Sequence, residues 1–376
     1  MKRCILHIGM PKTGSSALQD FLHRNRAALG EAGILYPLTR PWPPNAHGEL
    51  GRIFYRAHAG RTDLRRKALA HLERRIAEME GAGGQGDVLI LSSEALFDTP
   101  RASNAAAILA EFLERLGYRL EIVVAIRPQA AFLNSKYAQL AGSLMRPQPF
   151  ADYLNQMLGG HALDYNRRLK PWAGIAGGRI RPLAYAGSAR AAIVERFLAE
   201  TGLADRVADL ALENPPVRHN PTSGPLTVET FRRLAGAAEW KPNSDAVHWA
   251  RRDLVEAAAA RGWDETPFVG LTRDMRERVR AAFAEPNERF AKRHWGKGWD
   301  AVFEPLAEAE PDPNSVETAP PGAEDRAELE RLVTLLARRY GDMGPVKNVI
   351  QRTRLRLKGK SAINRRAEDL FNFDDE

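Results

Sequence analysis

Apolar residues occur in short runs separated by longer stretches in which apolar and polar residues recur at helical spacing. Parallel strands that are covered on both faces are almost continuously apolar. Four runs therefore predict buried strands, at residues 4–9, 88–92, 122–126 and 180–185. The longer patterns predict a helix at about 15–29 and a helix covering the sheet at 63–80. Strands that alternate with helices in this way are typical of an α/β protein with a parallel sheet flanked by helices.

The pattern changes towards the end of the chain. Residues 306–324 are rich in proline and acid, a composition that predicts a linker with too few apolar residues to fold by itself. We therefore expect the main domain to span residues 1–305. A helical pattern follows at 325–340, and residues 347–366 hold eight Lys or Arg and no acid. Together, residues 325–376 predict a helical and basic C-terminal extension.

Composition narrows the class of protein only a little. The 376 residues are 44% hydrophobic and 27% charged, as in ordinary globular proteins. Cys4, the single cysteine, excludes a disulfide within the chain and a multi-cysteine zinc site. The N-terminal apolar run is too short for a signal peptide, and no run is long enough to span a bilayer, so we expect a cytoplasmic location. The net charge of +8 favours an anionic partner of some kind.

The first predicted strand leads into a loop of Gly, Ser and Thr and then into a helix, reading HIGMPKTGSSALQ from residue 7 to residue 19. This order aims backbone N–H groups and the positive end of a helix at one point, which suits a phosphate. Gly9 and Gly14 have the spacing of a kinase phosphate loop. However, Ser15 stands where the kinase lysine belongs, and Lys12 lies within the loop instead.

A second candidate element follows the strand at 122–126. Arg127 comes directly after the strand, at the sheet edge where open α/β proteins bind ligands. Ser135 lies about two helical turns further on, so that its hydroxyl can face the same side. An arginine and a hydroxyl are well suited to one phosphate group. This spacing alone is not specific for a phosphate site, and it becomes informative only in combination with the first loop.

Both elements resemble those of sulfotransferases that use 3′-phosphoadenosine-5′-phosphosulfate (PAPS). The resemblance covers roughly residues 3–305 and implies a P-loop-like parallel sheet. It implies that the 3′-phosphate binds Arg127 and Ser135. Since Ala17 follows the loop hydroxyls where phenol sulfotransferases usually have an aromatic residue, the detail is nearer to carbohydrate sulfotransferases. The resemblance also implies that the 5′-phosphosulfate binds Pro11, Lys12, Thr13, Gly14, Ser15 and Ser16.

Sulfuryl transfer needs a base for the acceptor hydroxyl and positive charge near the moving group. By resemblance, Lys12 follows the charge that develops on the bridging oxygen. Glu94 follows the strand at 88–92 and resembles the catalytic glutamate of carbohydrate sulfotransferases. His47 is the other candidate base, because a loop histidine with an ordinary pKa can accept a proton at neutral pH. The histidines show no metal-ligand spacing, so we expect no metal.

Two other functions remain open on the sequence. A small-molecule kinase would need a lysine after Gly14 and usually a strand-end aspartate for Mg²⁺, whereas the strands end near Glu94 and Arg127. A basic nucleic-acid-binding or other anion-binding protein is the non-enzymatic alternative, although acids balance the positive charge outside 347–366. The leading expectation is transfer to a saccharide or glycolipid hydroxyl, without a nucleic-acid partner. The basic tail at 347–366 is suited to a membrane surface or an anionic glycan.

Overall fold

The structure is a computed structural model that describes residues 2–38, 46–47, 50–51, 62–81, 86–97, 104–145, 148–175, 180–187, 192–214, 223–307 and 309–341. The chain folds into two compact units that interleave in sequence. The first comprises Met1–Gln129, Gly160–Arg218 and Arg280–Ala309, and the second comprises Ala130–Gly159, His219–Val279 and Glu310–Glu376. The basic tail at 347–366 lies outside the described residues. The domain boundaries expected at 305 and 324 stay predictions.

The first unit contains a five-stranded parallel sheet, which confirms the predicted α/β class. The strand order is β2-β3-β1-β4-β5, so β1 lies at the centre, paired with β3 on one side and β4 on the other. Both faces of the central strands are buried, as their apolar runs predicted. The strands are β1 (Lys2–His7), β2 (Ile34–Leu35), β3 (Val88–Ser92), β4 (Tyr118–Ile126) and β5 (Ile180–Ala184).

Two strands extend beyond the predicted apolar runs. β1 begins at Lys2, and β4 begins at Tyr118 rather than at residue 122. The early part of β4 contains Glu121, a charged residue that a search for apolar runs passes over. Its carboxylate is nevertheless buried, because the guanidinium of Arg3 donates two hydrogen bonds to it and that of Arg119 donates a third. These arginines hold the pKa of Glu121 below its usual value against the opposing effect of burial.

Helices cover both faces of the sheet. On one face, Ile5, Ile90 and Val123 pack in a core with Leu18 of α1 and Phe197 of α8. On the other face, α4 packs against β4. The helices of the first unit are α1 (Ser15–Arg24), α2 (Arg26–Glu31), α3 (Thr62–Gly81), α4 (Ala105–Arg115), α7 (Tyr165–Ile175), α8 (Ile193–Glu200), α9 (Ala204–Val207) and α13 (Trp299–Phe303).

The helix predicted at 15–29 is two helices, because Asn25 interrupts it. The Nδ2 group of Asn25 donates to the carbonyls of Phe21 and Glu213, and its Oδ1 accepts from the N–H of Glu213. An asparagine side chain that bonds the backbone in this way competes with the helix. The helix predicted at 63–80 is confirmed and extends by one residue at each end.

The second unit is helical. It holds α6 (Phe150–Leu158), α10 (Pro225–Gly236), α11 (Ser244–Ala259) and α14 (Ala323–Tyr340), while α5 (Gln129–Ala141) and α12 (Arg273–Trp295) have residues in both units. Within the predicted linker, Asn314 exchanges backbone and side-chain hydrogen bonds with Val269, contacts that its composition did not predict. Among the described residues, no helix is both long and apolar enough to cross a lipid bilayer.

Candidate anion site at the carboxyl edge of the sheet

The topology of the sheet marks the place where a ligand site is expected. From β1 the chain crosses to β2, the outermost strand on one side of the sheet. From β4 it continues to β5, the outermost strand on the opposite side. The connections therefore diverge between β1 and β4. In open α/β sheets, ligands bind outside the carboxyl ends of the strands at such a switch point. The loop after β1 and Arg127 after β4 flank this point.

The loop after β1 turns sharply before α1. Its backbone is left-handed at Lys12, with φ of 66°, and at Gly14, with φ of 75°. Glycine adopts this conformation without strain, whereas a lysine in it costs about 1–2 kcal/mol. The Oγ1 hydroxyl of Thr13 donates to the carbonyl of Met10 and closes the loop. The strained Lys12 places an exposed ammonium group in a loop that is otherwise well anchored.

The side chains of the loop differ in their exposure to solvent. Lys12 and Ser16 are exposed, while Pro11, Thr13 and Ser15 are buried. The helix α1 starts at Ser15 without a side-chain cap, so its first N–H groups keep the positive end of the helix dipole. Among the described residues, the buried Oγ of Ser15 has no hydrogen-bond partner. A buried hydroxyl without a partner is unfavourable, and an anion held by the loop would satisfy it.

Three side chains from separate elements meet beside Gly9. A Cβ atom added to Gly9 would lie 2.4 Å from Oγ of Ser15, 3.1 Å from Cγ of Glu94 and 3.2 Å from Cε1 of His7. The absence of a side chain at Gly9 therefore makes room for this convergence. Glu94 is half-buried and begins the short 3₁₀ turn Glu94–Leu96 that follows β3. The structure thus brings the predicted base Glu94 beside the predicted phosphate loop.

Arg127 links the two predicted phosphate elements directly. Its Nη1 donates a hydrogen bond of 3.0 Å to the backbone carbonyl of Lys12. Its own carbonyl accepts from the hydroxyl of Tyr165, a buried tyrosine whose pKa burial raises well above its usual value. Ser135 lies within α5 in the second unit, whereas Arg127 belongs to the first. Their joint binding of one phosphate stays a prediction.

His47 lies in a different environment from the loop histidine that the sequence predicted. It is 1% exposed, and burial lowers its pKa to about 4. Its Nε2 donates to the carbonyl of Pro37 at 2.7 Å, and its Nδ1 accepts from the backbone N–H of Ser92 at 3.1 Å. Both ring nitrogens are therefore engaged with the backbone, and the ring is neutral near pH 7. This environment suits a structural group better than a base.

Several residues at the site were not predicted from the sequence. His7 ends β1, and its Nδ1 lies 2.8 Å from Oγ of Ser92, which also accepts from Nε2 of Gln19. Tyr185 follows β5, and its ring would lie 3.1 Å from a Cβ added to Gly14. Only the position of His7 and Tyr185 at the carboxyl ends of strands could have singled them out. Their partners are distant in sequence and carry no local pattern.

Comparison with protein-family models, with curated proteins and with solved structures gives no match. The fold and the site therefore define only a broad class of protein. The chain is an α/β protein with a parallel five-stranded sheet and a glycine-containing loop at its topological switch point. In the part of the chain that the structure describes, no three His, Cys, Asp or Glu side chains are grouped so as to hold a metal ion.

Proposed function

We propose that this protein is a sulfotransferase that moves the sulfuryl group of PAPS to an acceptor hydroxyl. The observation that carries the proposal is the hydrogen bond from Arg127 to the carbonyl of Lys12. Two elements that each resemble a phosphate-binding element of PAPS-dependent sulfotransferases are thereby in contact at the carboxyl edge of a parallel sheet. If the resemblance of either element to a sulfotransferase were accidental, nothing would require the two elements to be in contact.

The residues of the loop fit a P-loop-like cradle for the 5′-phosphosulfate. Backbone N–H groups at the start of α1 and the hydroxyl of Ser15 would donate to its oxygens. The exposed ammonium of Lys12 would stabilise negative charge on the bridging oxygen as the bond to sulfur breaks. Arg127 would bind the 3′-phosphate, the group for which the sequence also predicts Ser135. Holding the Lys12 carbonyl, Arg127 also fixes the backbone that presents the lysine.

Glu94 would act as the base. The acceptor oxygen attacks sulfur, the bond from sulfur to the bridging oxygen of PAPS breaks, and the proton of the acceptor hydroxyl passes to the Glu94 carboxylate. The products are a sulfate ester and 3′-phosphoadenosine-5′-phosphate (PAP). The position of Glu94 beside Gly9, within the same small region as the loop, supports this role. His47 would serve to hold β3 rather than to accept the proton.

The acceptor is proposed to be a carbohydrate or glycolipid hydroxyl, and the reaction is proposed to take place in the cytoplasm. These finer assignments rest on the resemblance to carbohydrate sulfotransferases and on the sequence alone. Radiolabelled PAPS incubated with a panel of glycans, glycolipids and phenols tests the acceptor. Label in a phenol but in no saccharide would correct the acceptor class while leaving the reaction type in place.

The donor is tested by thermal unfolding. We expect PAP to raise the melting temperature far more than AMP or ATP, because only PAP offers the 3′-phosphate to Arg127. A charge-assisted contact of this kind is worth roughly 1.5–3 kcal/mol, or about a ten- to hundredfold ratio of dissociation constants. Arg127→Gln should remove the preference for PAP and leave the weak effect of AMP.

Equal stabilisation by PAP and AMP in the wild type would remove the basis for a PAPS site. The kinase alternative has its own signature in the same measurement. Nucleoside triphosphates are bound together with Mg²⁺ by kinase loops, so a shift that appears only with ATP and Mg²⁺ would favour that alternative.

A further inference from the structure

A cluster of four polar side chains is buried beneath the candidate site. His7 is 1% exposed, Gln19 5%, Ser92 0% and His47 1%. We call these four residues the strand-end cluster, because His7 and Ser92 are the last residues of β1 and β3. Polar groups at this depth are unfavourable unless they are hydrogen-bonded. The hydrogen bonds within the cluster therefore add to the strand pairing that holds these strand ends.

Ser92 is the centre of the cluster. Its Oγ accepts from Nε2 of Gln19 at 3.0 Å and lies 2.8 Å from Nδ1 of His7. Its backbone N–H donates to Nδ1 of His47, and its carbonyl accepts from the N–H of His47 at 2.9 Å. Since Nδ1 of His47 accepts, the proton of this neutral ring is on Nε2, where it is donated to Pro37. Every polar group of Ser92 is thus occupied.

The cluster joins the two parts of the candidate site. Gln19 belongs to α1, the helix that begins at the phosphate loop, and His7 ends the strand that leads into that loop. Ser92 and Ser93 directly precede Glu94, and the N–H of Ser93 donates to the carbonyl of His7 at 3.0 Å. The backbone that carries Glu94 is therefore pinned to the strand and the helix that carry the loop.

We propose that the strand-end cluster is a positioning device that holds Glu94 in register with the phosphate loop, with Ser92 as its central positioning residue. The inference rests on the proposed function, in which Glu94 must meet an acceptor hydroxyl at the sulfuryl group. Buried hydrogen bonds that converge on one residue, as they do on Ser92, restrict the movement of the backbone around it. Displacement of a reacting group by about 1 Å can cost a hundredfold in rate, so this rigidity has a direct effect on turnover.

The test separates turnover from nucleotide binding. Ser92→Ala removes the hydroxyl at the centre of the cluster and should lower kcat at least tenfold while the dissociation constant of PAP changes less than threefold. Gln19→Met, which keeps the length of the side chain and suits a helix, removes one hydrogen bond of the same hydroxyl. It should lower kcat in the same direction by a smaller factor, and it provides the result if Ser92→Ala fails to fold.

A double-mutant cycle with Glu94→Gln identifies the route of the effect. If the cluster acts through Glu94, Ser92→Ala should reduce the remaining kcat of Glu94→Gln by less than twofold. Thr201→Val is the matched control, because Thr201 is a buried residue of the same unit whose hydroxyl donates to the carbonyl of Phe197. It should lower the melting temperature and leave kcat unchanged.

Two results would overturn the inference while the proposed function stands. One is a wild-type kcat in both Ser92→Ala and Gln19→Met, and the other is the same loss of kcat with and without Glu94. A wild-type protein that neither binds PAP nor transfers label would instead show that the proposed function has failed, and the positioning role would fail with it. Binding of PAP by the wild type is measured first and tells these cases apart.

Discussion

The two candidate bases differ most in their surroundings. The carboxylate of Glu94 is half-buried beside a loop whose glycine leaves space for it. The imidazole of His47 is buried, with both nitrogens bonded to backbone groups. A general base must reach the proton that it removes, directly or through one water. At the scale of single residues, the geometry therefore favours Glu94 as the base in the proposed reaction.

Glu94→Gln should lower kcat about 10²–10⁴-fold, the usual contribution of a positioned general base. Glutamine keeps the size of the side chain and its hydrogen bonding but cannot accept the proton, so the affinity for PAP should be nearly unchanged. The measurement is steady-state turnover with labelled PAPS, paired with calorimetric titration of PAP.

His47→Asn gives the complementary result. It disrupts the buried hydrogen bond between the imidazole of His47 and the backbone of Ser92 at the end of β3, and it should lower the free energy of unfolding by roughly 1–3 kcal/mol. Its kcat at a temperature where it is folded should fall no further than that of Ser92→Ala, because His47 belongs to the strand-end cluster and does not accept the proton. An active Glu94→Gln together with a folded but inactive His47→Asn would reverse the assignment of the base.

At the scale of elements, the phosphate loop combines tight packing with backbone strain. Gly9 has no room for a side chain, and Lys12 and Gly14 have left-handed backbones. Gly30, in α2, offers a contrast, because a Cβ added there would meet nothing within 4 Å. Substitution to alanine is therefore expected to have opposite effects on stability at Gly9 and at Gly30.

Gly9→Ala should destabilise the protein by roughly 1–3 kcal/mol, as overpacking in a filled region does, and should weaken PAP binding by displacing Ser15. Gly30→Ala should stabilise it by roughly 0.5–1 kcal/mol, since alanine is the better helix former. Urea unfolding of both variants measures the difference. A Gly9→Ala protein as stable as wild type and with unchanged PAP affinity would show that the loop tolerates the methyl group.

The elements also show what a sequence can and cannot predict. The apolar runs located four strands because both faces of this sheet are buried. They missed β2, whose two residues are too few to form a pattern, and the first residues of β4, where the buried Glu121 depends on Arg3 of β1 as well as on Arg119 of β4 itself. The loop and Glu94 were found because each is local to a strand end. The environment of His47 could not be predicted, because its partner Ser92 is 45 positions away along the chain.

At the scale of the whole molecule, the buried histidines make stability depend on pH. Burial lowers the pKa of His7 and of His47 to about 4, from an ordinary value of 6.5. Below pH 6.5 the unfolded chain binds protons that the folded protein does not bind. Proton binding therefore favours the unfolded state increasingly as the pH falls from 6.5 to about 4. Above pH 6.5 this destabilisation is absent, and the stability of the protein is fully retained.

We expect the free energy of unfolding to fall between pH 6.5 and 4 by up to roughly 1.4 kcal/mol per pH unit for each of the two histidines. Urea unfolding at half-unit intervals, followed by a signal from the first unit, measures the slope. His47→Asn is the control and should have a shallower slope than wild type. Imidazole NMR signals of His7 and His47 that titrate near pH 6.5 in the folded protein would contradict the prediction.

The central place of β1 has a consequence for synthesis in the cell. Among the strands of this sheet, β1 is translated first, and its two partners β3 and β4 follow later in the chain, so neither partner is present when β1 is made. At about 5–20 residues per second, roughly ten seconds pass before β4 has been translated. During that time an apolar strand has two unpaired edges, a state prone to association with other nascent chains. The strand order of this sheet therefore delays the pairing of its central strand until β3 and β4 have been translated.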